Sequence, residues 1–289
     1  NSYQGITTNR QGFLAVKDGG TLGQGDVTMV SGTSFGAVGT THSTVTNRMI
    51  FLGSPILRTE APLLTRGELV APTNYGSLSK SGISEWQIGA SYALSNLNSR
   101  FMLNNGMTRI MPGVQFSFTS FDITTNTSES TATRAQVALE GGVQVNSGLA
   151  VEPGASVVLG ALAAQFTTGY TNTFTLEMNG GSLLLEGFYP LSLGDQGGCQ
   201  ITVLNKGGVM QTARDDGWCD VGTRSPVIWI VDGGTSTLGR VAFGRKEGSG
   251  TGRLGGSTKL TIKNGLWEAR TFFSWKSVDD PAVTNIVNL

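Results

Sequence analysis

The sequence of 289 residues predicts an all-β fold in which successive coils of the chain stack on one another as a β-solenoid. A motif of alternating apolar residues that ends at glycine, here called the glycine phrase, recurs along the chain. The glycines that close it follow one another at 24, 36, 39, 27, 26 and 31 residues. The composition agrees, because 42 glycines and only 14% charged residues suit short strands and tight turns. These closing glycines are Gly82, Gly106, Gly142, Gly181, Gly208, Gly234 and Gly265.

Residues 1–39 carry the clearest strand-and-turn pattern, in which short alternating runs stop at glycine. The order is Asn-x-Tyr-x-Gly-x-Thr, then Gly-x-Leu, then Leu-Gly-x-Gly-x-Val-x-Met. This order resembles the autotransporter-associated β-strand repeat of bacterial surface proteins over about residues 1–30. The matching residues are Asn1, Tyr3, Gly5, Thr7, Gly12, Leu14, Leu22, Gly23, Gly25, Val27 and Met29.

The resemblance implies a right-handed parallel β-helix that is exported and displayed outside the cell. An export signal is not present in this sequence, so we expect that it has been removed or lies outside the segment. The family is structural or adhesive, and the resemblance therefore implies neither catalytic residues nor a cofactor.

An antiparallel β-sandwich is the alternative fold. The dipeptides Asn105-Gly106, Asn179-Gly180 and Asn264-Gly265 are typical of β-hairpin turns. A sandwich would repeat its strands every 8 to 12 residues, however, whereas the glycine phrase recurs at intervals of 24 to 39 residues. The longer period favours the solenoid.

The repeats extend over most of the chain and predict a single elongated domain, residues 1–289. Within it, residues 40–75 contain Pro55, Pro62 and Pro72, and proline removes a donor from a strand ladder. We therefore expect an irregular edge, cap or loop there, followed by stacked coils over 76–289.

Three segments of 76–289 depart from the strand pattern. Trp86, Ala90, Ala93, Leu94 and Leu97 have helical spacing, which allows a short amphipathic helix over 84–97. The Ser/Thr-rich segment 119–133 is predicted to be an exposed insertion. The glycine-rich segment 244–256 is predicted to be a loop.

The chain has two cysteines, Cys199 and Cys219, and a single histidine, His42. A zinc site needs three or four such ligands, so this composition argues against one. The cysteine pair is interpreted as a disulfide in an oxidising compartment, with two unrelated free thiols as the alternative.

One acidic cluster could carry chemistry: Asp215, Asp216 and Asp220 lie beside Trp218. Polysaccharide lyases and hydrolases on β-helices use clustered carboxylates, for calcium or as an acid and base pair. The alternative interpretation is a solvated turn. We therefore keep these aspartates only as a calcium candidate and predict no catalytic residue.

Charge is distributed unevenly along the chain. Residues 1–239 hold 12 basic and 16 acidic side chains, whereas residues 240–276 hold 8 basic and 2 acidic ones. This basic segment is either a solvated face or a surface for an acidic partner, such as the next copy or an anionic extracellular glycan. Nucleic acid would require a more basic domain overall, and no apolar run is long enough to span a membrane.

The sequence thus predicts an extracellular structural protein that assembles head to tail into a filament or surface layer, without a cofactor. Strand-like segments at both ends offer open ladder edges, which natural proteins either cap or use. The alternatives are a surface adhesin or glycan-binding module near Trp218 or Trp267, and a polysaccharide lyase or hydrolase. The residues predicted to take part in assembly are Asn1, Tyr3, Arg240, Arg245, Lys246, Arg253, Lys259, Lys263, Ile286 and Val287.

Overall fold

The computed structural model describes ten segments of the chain, and their secondary structure consists of β-strands. All strand pairings recorded within these segments are parallel. The chain is therefore all-β with long parallel sheets, and the antiparallel sandwich alternative is wrong for this part of it. The described residues are 3–71, 77–95, 100–119, 134–137, 146–164, 172–194, 199–223, 225–244, 256–274 and 285–289.

Most strands are short, three to seven residues, and the two longest lie near the C-terminal end. The first half contains β1 (Thr7–Asn9), β2 (Phe13–Lys17), β3 (Val27–Met29), β4 (Ser34–Val38), β5 (Ser43–Val45), β6 (Met49–Phe51), β7 (Ile56–Thr59), β8 (Leu63–Thr65), β9 (Leu69–Val70), β10 (Ser77–Ser81), β11 (Trp86–Ile88), β12 (Tyr92–Ser95), β13 (Arg100–Leu103) and β14 (Gly106–Ile110). The second half contains β15 (Gln115–Thr119), β16 (Arg134–Val137), β17 (Asn146–Val151), β18 (Ser156–Leu159), β19 (Ala161–Ala164), β20 (Asn172–Met178), β21 (Ser182–Leu185), β22 (Leu191–Leu193), β23 (Cys199–Asn205), β24 (Val209–Thr212), β25 (Trp218–Val221), β26 (Val227–Phe243), β27 (Thr258–Ser274) and β28 (Asn285–Asn288).

The strands pair in three rows, which we call A, B and C, and the chain visits them in that order. One passage through the three rows is here called a circuit. Row A is β5, β8, β11, β14, β17, β20, β23, the first part of β26, the first part of β27, and β28. Row B pairs in two stretches, β1-β3-β6-β9 and then β12-β15-β18-β21-β24 with the middle of β26 and β27. Row C is β2, β4, β7, β10, β13, β16, β19, β22, β25 and the last parts of β26 and β27.

Alternate residues of all three rows point into one hydrophobic cluster. Trp86 and Trp229 are among its largest fully buried side chains, together with phenylalanines from all three rows. Because side chains alternate across a strand, each circuit contributes apolar residues inward and polar residues outward. The core therefore runs through the stack from one circuit to the next.

The repeated glycine phrase is aligned by this pairing in its last four copies. Leu176 pairs with Val203, Val203 with Trp229, and Trp229 with Leu260, all in row A. The glycines that follow are stacked as well, since Gly234 pairs with Gly265. The phrase thus predicts both the period and the register of these circuits.

The first copies of the phrase lie in a different row. Leu78 pairs with Phe101 in row C, and Phe101 then pairs with Ala135 rather than with the predicted equivalent, Val137. The phrase marks any core-facing strand that ends at glycine, so it does not by itself distinguish one row from another.

The predicted irregular segment 40–75 is regular over its described part, where five strands, β5 to β9, occupy all three rows. Pro55 and Pro62 stand directly before β7 and β8. Their carbonyl oxygens accept hydrogen bonds from the backbone N–H groups of Ser79 and Ser43. A proline directly before a strand removes no N–H group from the hydrogen bonds of that strand. The expected cap or loop therefore does not form.

The predicted amphipathic helix over 84–97 is also wrong. The segment forms β11 and β12 instead, and Trp86 pairs with Leu63 on one side and Thr108 on the other. Pairing with two neighbouring circuits supplies backbone hydrogen bonds that the local helical spacing does not anticipate. The predicted insertion lies outside the described residues apart from Thr119, as does most of the glycine-rich segment 244–256.

Candidate functional site

The C-terminal end of the stack leaves core-facing rows uncovered. In row A, Trp229 pairs with Leu260 and Leu260 with Val287, so the three side chains share one inward position. Leu260 is 1% exposed, whereas Val287 is 47% exposed. Leu289, the residue after β28, is almost fully exposed. The hydrophobic core is therefore open at this end in the described part of the chain.

The rest of this end surface is an aromatic floor. Trp267 and Phe272 lie on the last circuit with ring centroids 5.8 Å apart. Beneath them, the centroid of Trp267 is 6.3 Å from that of Trp229 and 6.0 Å from that of Phe243. A cleft of about 690 Å³ opens above this floor. Its apolar lining includes Leu238, Ile262, Trp267, Ala269, Phe272 and Val287.

Within the described residues, the backbone edge of the last circuit is only partly paired. β28 covers the row A part of β27, through the pairing of Thr258–Thr261 with Asn285–Asn288. For the row B and row C parts of β27, the recorded pairings are with β26 alone. An unpaired strand edge presents N–H and C=O groups that can extend a ladder. We call this edge together with the aromatic floor the C-terminal end face.

At the opposite end lie β1 and β2, each of which pairs on one side only among the residues from Tyr3 onward that the structure describes. Tyr3, Ile6 and Phe13 are exposed there. The Tyr3 hydroxyl donates to the Ile6 carbonyl oxygen at 3.2 Å, and the Arg58 guanidinium lies 5.4 Å from the Phe13 ring centroid. Asn9 points inward and donates from Nδ2 to the Gly12 and Ser34 carbonyl oxygens. We call this surface the N-terminal end face.

The predicted assembly residues separate into three groups. Tyr3, Ile286 and Val287 lie at the ends of the stack and are exposed. Arg240, Lys259 and Lys263 lie on the last two circuits, where Lys263 is 3.5 Å from Asp232 and Arg240 lies over the Trp218 ring. Asn1, Arg245, Lys246 and Arg253 fall outside the described residues.

The structure does not bring the predicted calcium ligands together. Asp215 pairs with Arg270, and Asp216 accepts from Arg214 Nε at 3.1 Å, while Asp220 lies in β25. The hydrogen bond from Arg214 lowers the pKa of Asp216. Among the described residues, no group of three His, Cys, Asp or Glu side chains is placed to hold a metal ion. Arginine partners occupy two of the three carboxylates.

The prediction of a disulfide between Cys199 and Cys219 is wrong, because Cys219 carries a free thiol and is buried. Cys219 faces the core in row C, paired with Leu191 and Val241. Burial raises the pKa of its thiol. Cys199 begins β23 in row A, so the two cysteines belong to different rows of the same circuit. Sequence separation alone could not reveal that the chain turns away between them.

A lateral aromatic cluster was only partly anticipated from the sequence. The rings of Trp218 and Phe273 stack at 5.6 Å with an interplanar angle of 21°, and the Arg240 guanidinium lies 5.6 Å from the Trp218 centroid. Nearby, Tyr189 packs edge-on against Phe188. Tyr189 and Phe273 are exposed. Residue spacing does not reveal this cluster because its members come from separate circuits.

A second lateral feature links three circuits by charge. Arg109 Nη2 lies 3.0 Å from Glu85 Oε2, and Nη1 of the same side chain contacts Glu152. The hydrogen bond that Arg109 donates to Glu85 raises the pKa of Arg109. Burial opposes ionisation of Glu85, but the hydrogen bonds from Arg109 and Gln87 and the positive charge of Arg109 together outweigh it and lower the pKa of Glu85. Because both carboxylates are engaged by the guanidinium, the group acts as a brace between circuits.

Comparison with protein-family models, curated proteins and solved structures found no match to this chain. Within its described residues, no helix has the length and apolar character that crossing a bilayer requires. Conclusions about function therefore depend on the surfaces described above.

Proposed function

We propose that this chain is a right-handed parallel β-helix that works as an extracellular structural protein and assembles head to tail into a filament or layer. The handedness, the export and the surface location come from the resemblance of residues 1–30 to the autotransporter-associated repeat. The long parallel rows, visited in a constant order, support the helical winding. Copies of the same chain are the partner, and no cofactor is required.

The observation that carries this proposal is the C-terminal end face. It combines an open strand edge with an exposed apolar floor, and both would be satisfied by another circuit of β-strands. At the N-terminal end face, β1 and β2 each pair on one side within the described residues. A contact between two different surfaces of one chain does not close on itself unless the rotation is suitable, so it generates an open polymer.

The test uses two matched valines of similar exposure. Val287 is 47% exposed on the C-terminal end face, and Val209 is 43% exposed on β24, which is paired on both sides. We expect the parent and Val209→Lys to form polymers that grow with concentration, and Val287→Lys to need at least about tenfold more protein, because it buries a charge in the contact. Sedimentation velocity and negative-stain electron microscopy measure this.

Circular dichroism of both variants checks that the fold is retained. A parent protein that stays monomeric over a wide range of concentration and salt would refute head-to-tail assembly. Equal polymerisation of the two valine variants would show that the contact lies elsewhere.

The lateral aromatic cluster favours a second candidate function, binding of extracellular glycan. Aromatic rings with a neighbouring guanidinium suit the apolar faces and polar edges of sugars. Phe273 and Phe13 form a matched pair, because their side chains are 37% and 39% exposed. They lie at opposite ends of the stack, and each is on a surface that carries an arginine. If the cluster binds glycan, Phe273→Ala weakens retention on immobilised acidic or neutral polysaccharide about tenfold while Phe13→Ala leaves it unchanged. Absence of retention by the parent would remove this candidate.

A further inference from the structure

We infer that the stack has one internal junction at which it opens, between β9 and β12 of row B. The strands on its two sides, β1 to β10 and β11 to β28, open as separate units under native conditions. We call them the N-terminal unit and the C-terminal unit. The junction lies within the winding of a single chain, so this behaviour is independent of the proposed assembly.

The junction is marked by a missing strand pairing. Within the described residues, successive strands of rows A, B and C pair throughout, except that no pairing is recorded between β9 and β12. The other two rows continue across the same place. Leu63 pairs with Trp86 in row A, and Leu78 pairs with Phe101 in row C. The interruption is therefore confined to row B.

The backbone hydrogen bonds of row B stop at the same place. In the circuit before the junction, the Met49 N–H group donates to the Glu68 carbonyl oxygen at 2.8 Å. The corresponding bond at the junction would join the Leu69 N–H group to the Ser91 carbonyl oxygen, and it is not among the hydrogen bonds of the described residues. Strands that share no hydrogen bonds separate at a lower cost in free energy than strands that do.

The amino-acid sequence explains why the ladder weakens here. β9 has only two residues. In the preceding circuit, the Leu52 N–H group, directly after β6, donates to the Met29 carbonyl oxygen at 2.7 Å. The pairing of Ile50 with Val70 puts Pro72 at the position that corresponds to Leu52, and proline has no N–H group to donate. The sequence thus withholds a ladder donor directly before the junction.

Polar contacts on the outer side of row B also end at the junction. Arg48 joins two circuits of the N-terminal unit to its own, because it lies 3.3 Å from Asp26 and 2.9 Å from Glu68. Ser91, which precedes β12 as Glu68 precedes β9, carries no charge. Its hydroxyl oxygen accepts from the Gln115 backbone N–H group at 3.2 Å, within the C-terminal unit. Each unit is therefore braced internally on this side.

A cleft of about 400 Å³ opens on row B at the junction. Leu69 and Val70 line it from the N-terminal unit, and Tyr92 and Phe116 line it from the C-terminal unit. The ring centroids of Tyr92 and Phe116 are 5.5 Å apart, so this aromatic contact lies within one unit. Atoms that border a cleft lack packing partners on that side, which lowers the cost of widening it.

Rows A and C hold the two units together. In row A, the Trp86 indole Nε1 donates to Thr65 Oγ1 at 3.1 Å across the junction. On the row C side, the buried Lys80 ammonium contacts the Asn105 carbonyl oxygen of the following circuit. The geometry therefore allows the stack to open on row B while rows A and C act as the hinge.

The test uses two phenylalanines placed symmetrically about the junction. Phe51 lies in β6 and Phe116 in β15, each one circuit away from it, and both are fully buried inward residues of row B. Amide hydrogen exchange is measured by mass spectrometry on dilute protein. The readout is β8 and β11, which pair directly across the junction in row A.

We expect Phe51→Leu to accelerate exchange in β8 about tenfold and to leave β11 within about twofold of the parent. Phe116→Leu is the matched control and should have the reverse effect. The physical reason is that each substitution removes buried packing from one unit, and the amides of a unit report the opening of that unit.

Equal acceleration of both strands by either variant would overturn the inference, because it would show a single cooperative unit. Failure of Phe51→Leu to accelerate β8 would overturn it too. If a variant does not fold, exchange of the parent in rising urea decides. Amides of β1 to β10 should converge on one opening free energy and those of β11 onward on another, and one common value across the junction would overturn the inference.

Discussion

Replacing Lys80 with alanine is expected to lower the free energy of unfolding by about 4 kcal/mol. Lys80 is fully buried on β10, at an inward position of row C between Leu57 and Leu103. Its ammonium donates to the carbonyl oxygens of Gly82 at 2.6 Å and Ser84 at 2.7 Å, and also contacts that of Asn105. Alanine removes these charged hydrogen bonds and leaves a cavity in the core.

A second variant separates the two contributions. Lys80→Leu refills the inward position with a side chain that matches its neighbours in the row, but it offers no donor to the carbonyls. We expect it to remain about 1–3 kcal/mol less stable than the parent, since unsatisfied carbonyl groups carry a desolvation penalty. The exposed Lys17 of the same row is the control, and Lys17→Ala should change stability by less than about 0.5 kcal/mol.

Urea denaturation followed by circular dichroism measures the stability of all three variants. The comparison requires that the m-value, the slope of the unfolding free energy against urea concentration, is the same in each. A Lys80→Leu protein as stable as the parent, or more stable, would show that the buried ammonium contributes no net stability. Replacement of buried ionic groups by apolar ones has that result in some proteins.

Gly234→Ala is expected to lower the free energy of unfolding by about 3 kcal/mol. Gly234 lies at the turn from row A to row B and pairs with Gly265 of the next circuit. A Cβ atom there would meet the Asn205 side chain and would lie 2.6 Å from the Gly208 carbonyl oxygen. The Asn205 amide holds this turn by donating to the Thr235 carbonyl oxygen at 2.9 Å. The added methyl group therefore disturbs both the close approach of the Gly208 carbonyl oxygen and the hydrogen bond that Asn205 donates to Thr235.

The control is Gly113→Ala. Gly113 has a φ of +77°, but a Cβ there would have no heavy atom within 4 Å. Its replacement costs only the left-handed backbone penalty, about 1–2 kcal/mol. Thermal and urea denaturation compare the two variants. Equal losses of unfolding free energy in the two variants would show that the close approach of successive circuits at Gly234 adds nothing to the backbone penalty.

The glycine phrase made the stacking predictable because each copy whose glycine is described combines a core-facing strand with a turn that has no room for a Cβ. In row A this phrase correctly aligns Leu176, Val203, Trp229 and Leu260. Period and apolar alternation are local properties, so they can be read from the chain directly.

The predictions that failed depended on which circuit lies beside which. The disulfide, the acidic cluster and the helix over 84–97 were inferred from residues that are near in sequence. Cys219 and Asp220 instead lie in row C with alternating orientations, Asp215 is paired with Arg270 from a later circuit, and Trp86 is held by pairing on both sides. Neighbours from other circuits decide the partners of each side chain.

The amino-acid sequence by itself determined the strand-rich class, the repeating period and the tight glycine turns of this protein, since these follow from alternation and backbone sterics within a few residues. Only the tertiary structure decided that Lys80 is buried, that Trp218 stacks on Phe273, and that Arg109 joins Glu85 to Glu152. Each of these depends on contacts between residues separated by one or more circuits. Such contacts are formed by stacking and leave no local signal in the chain.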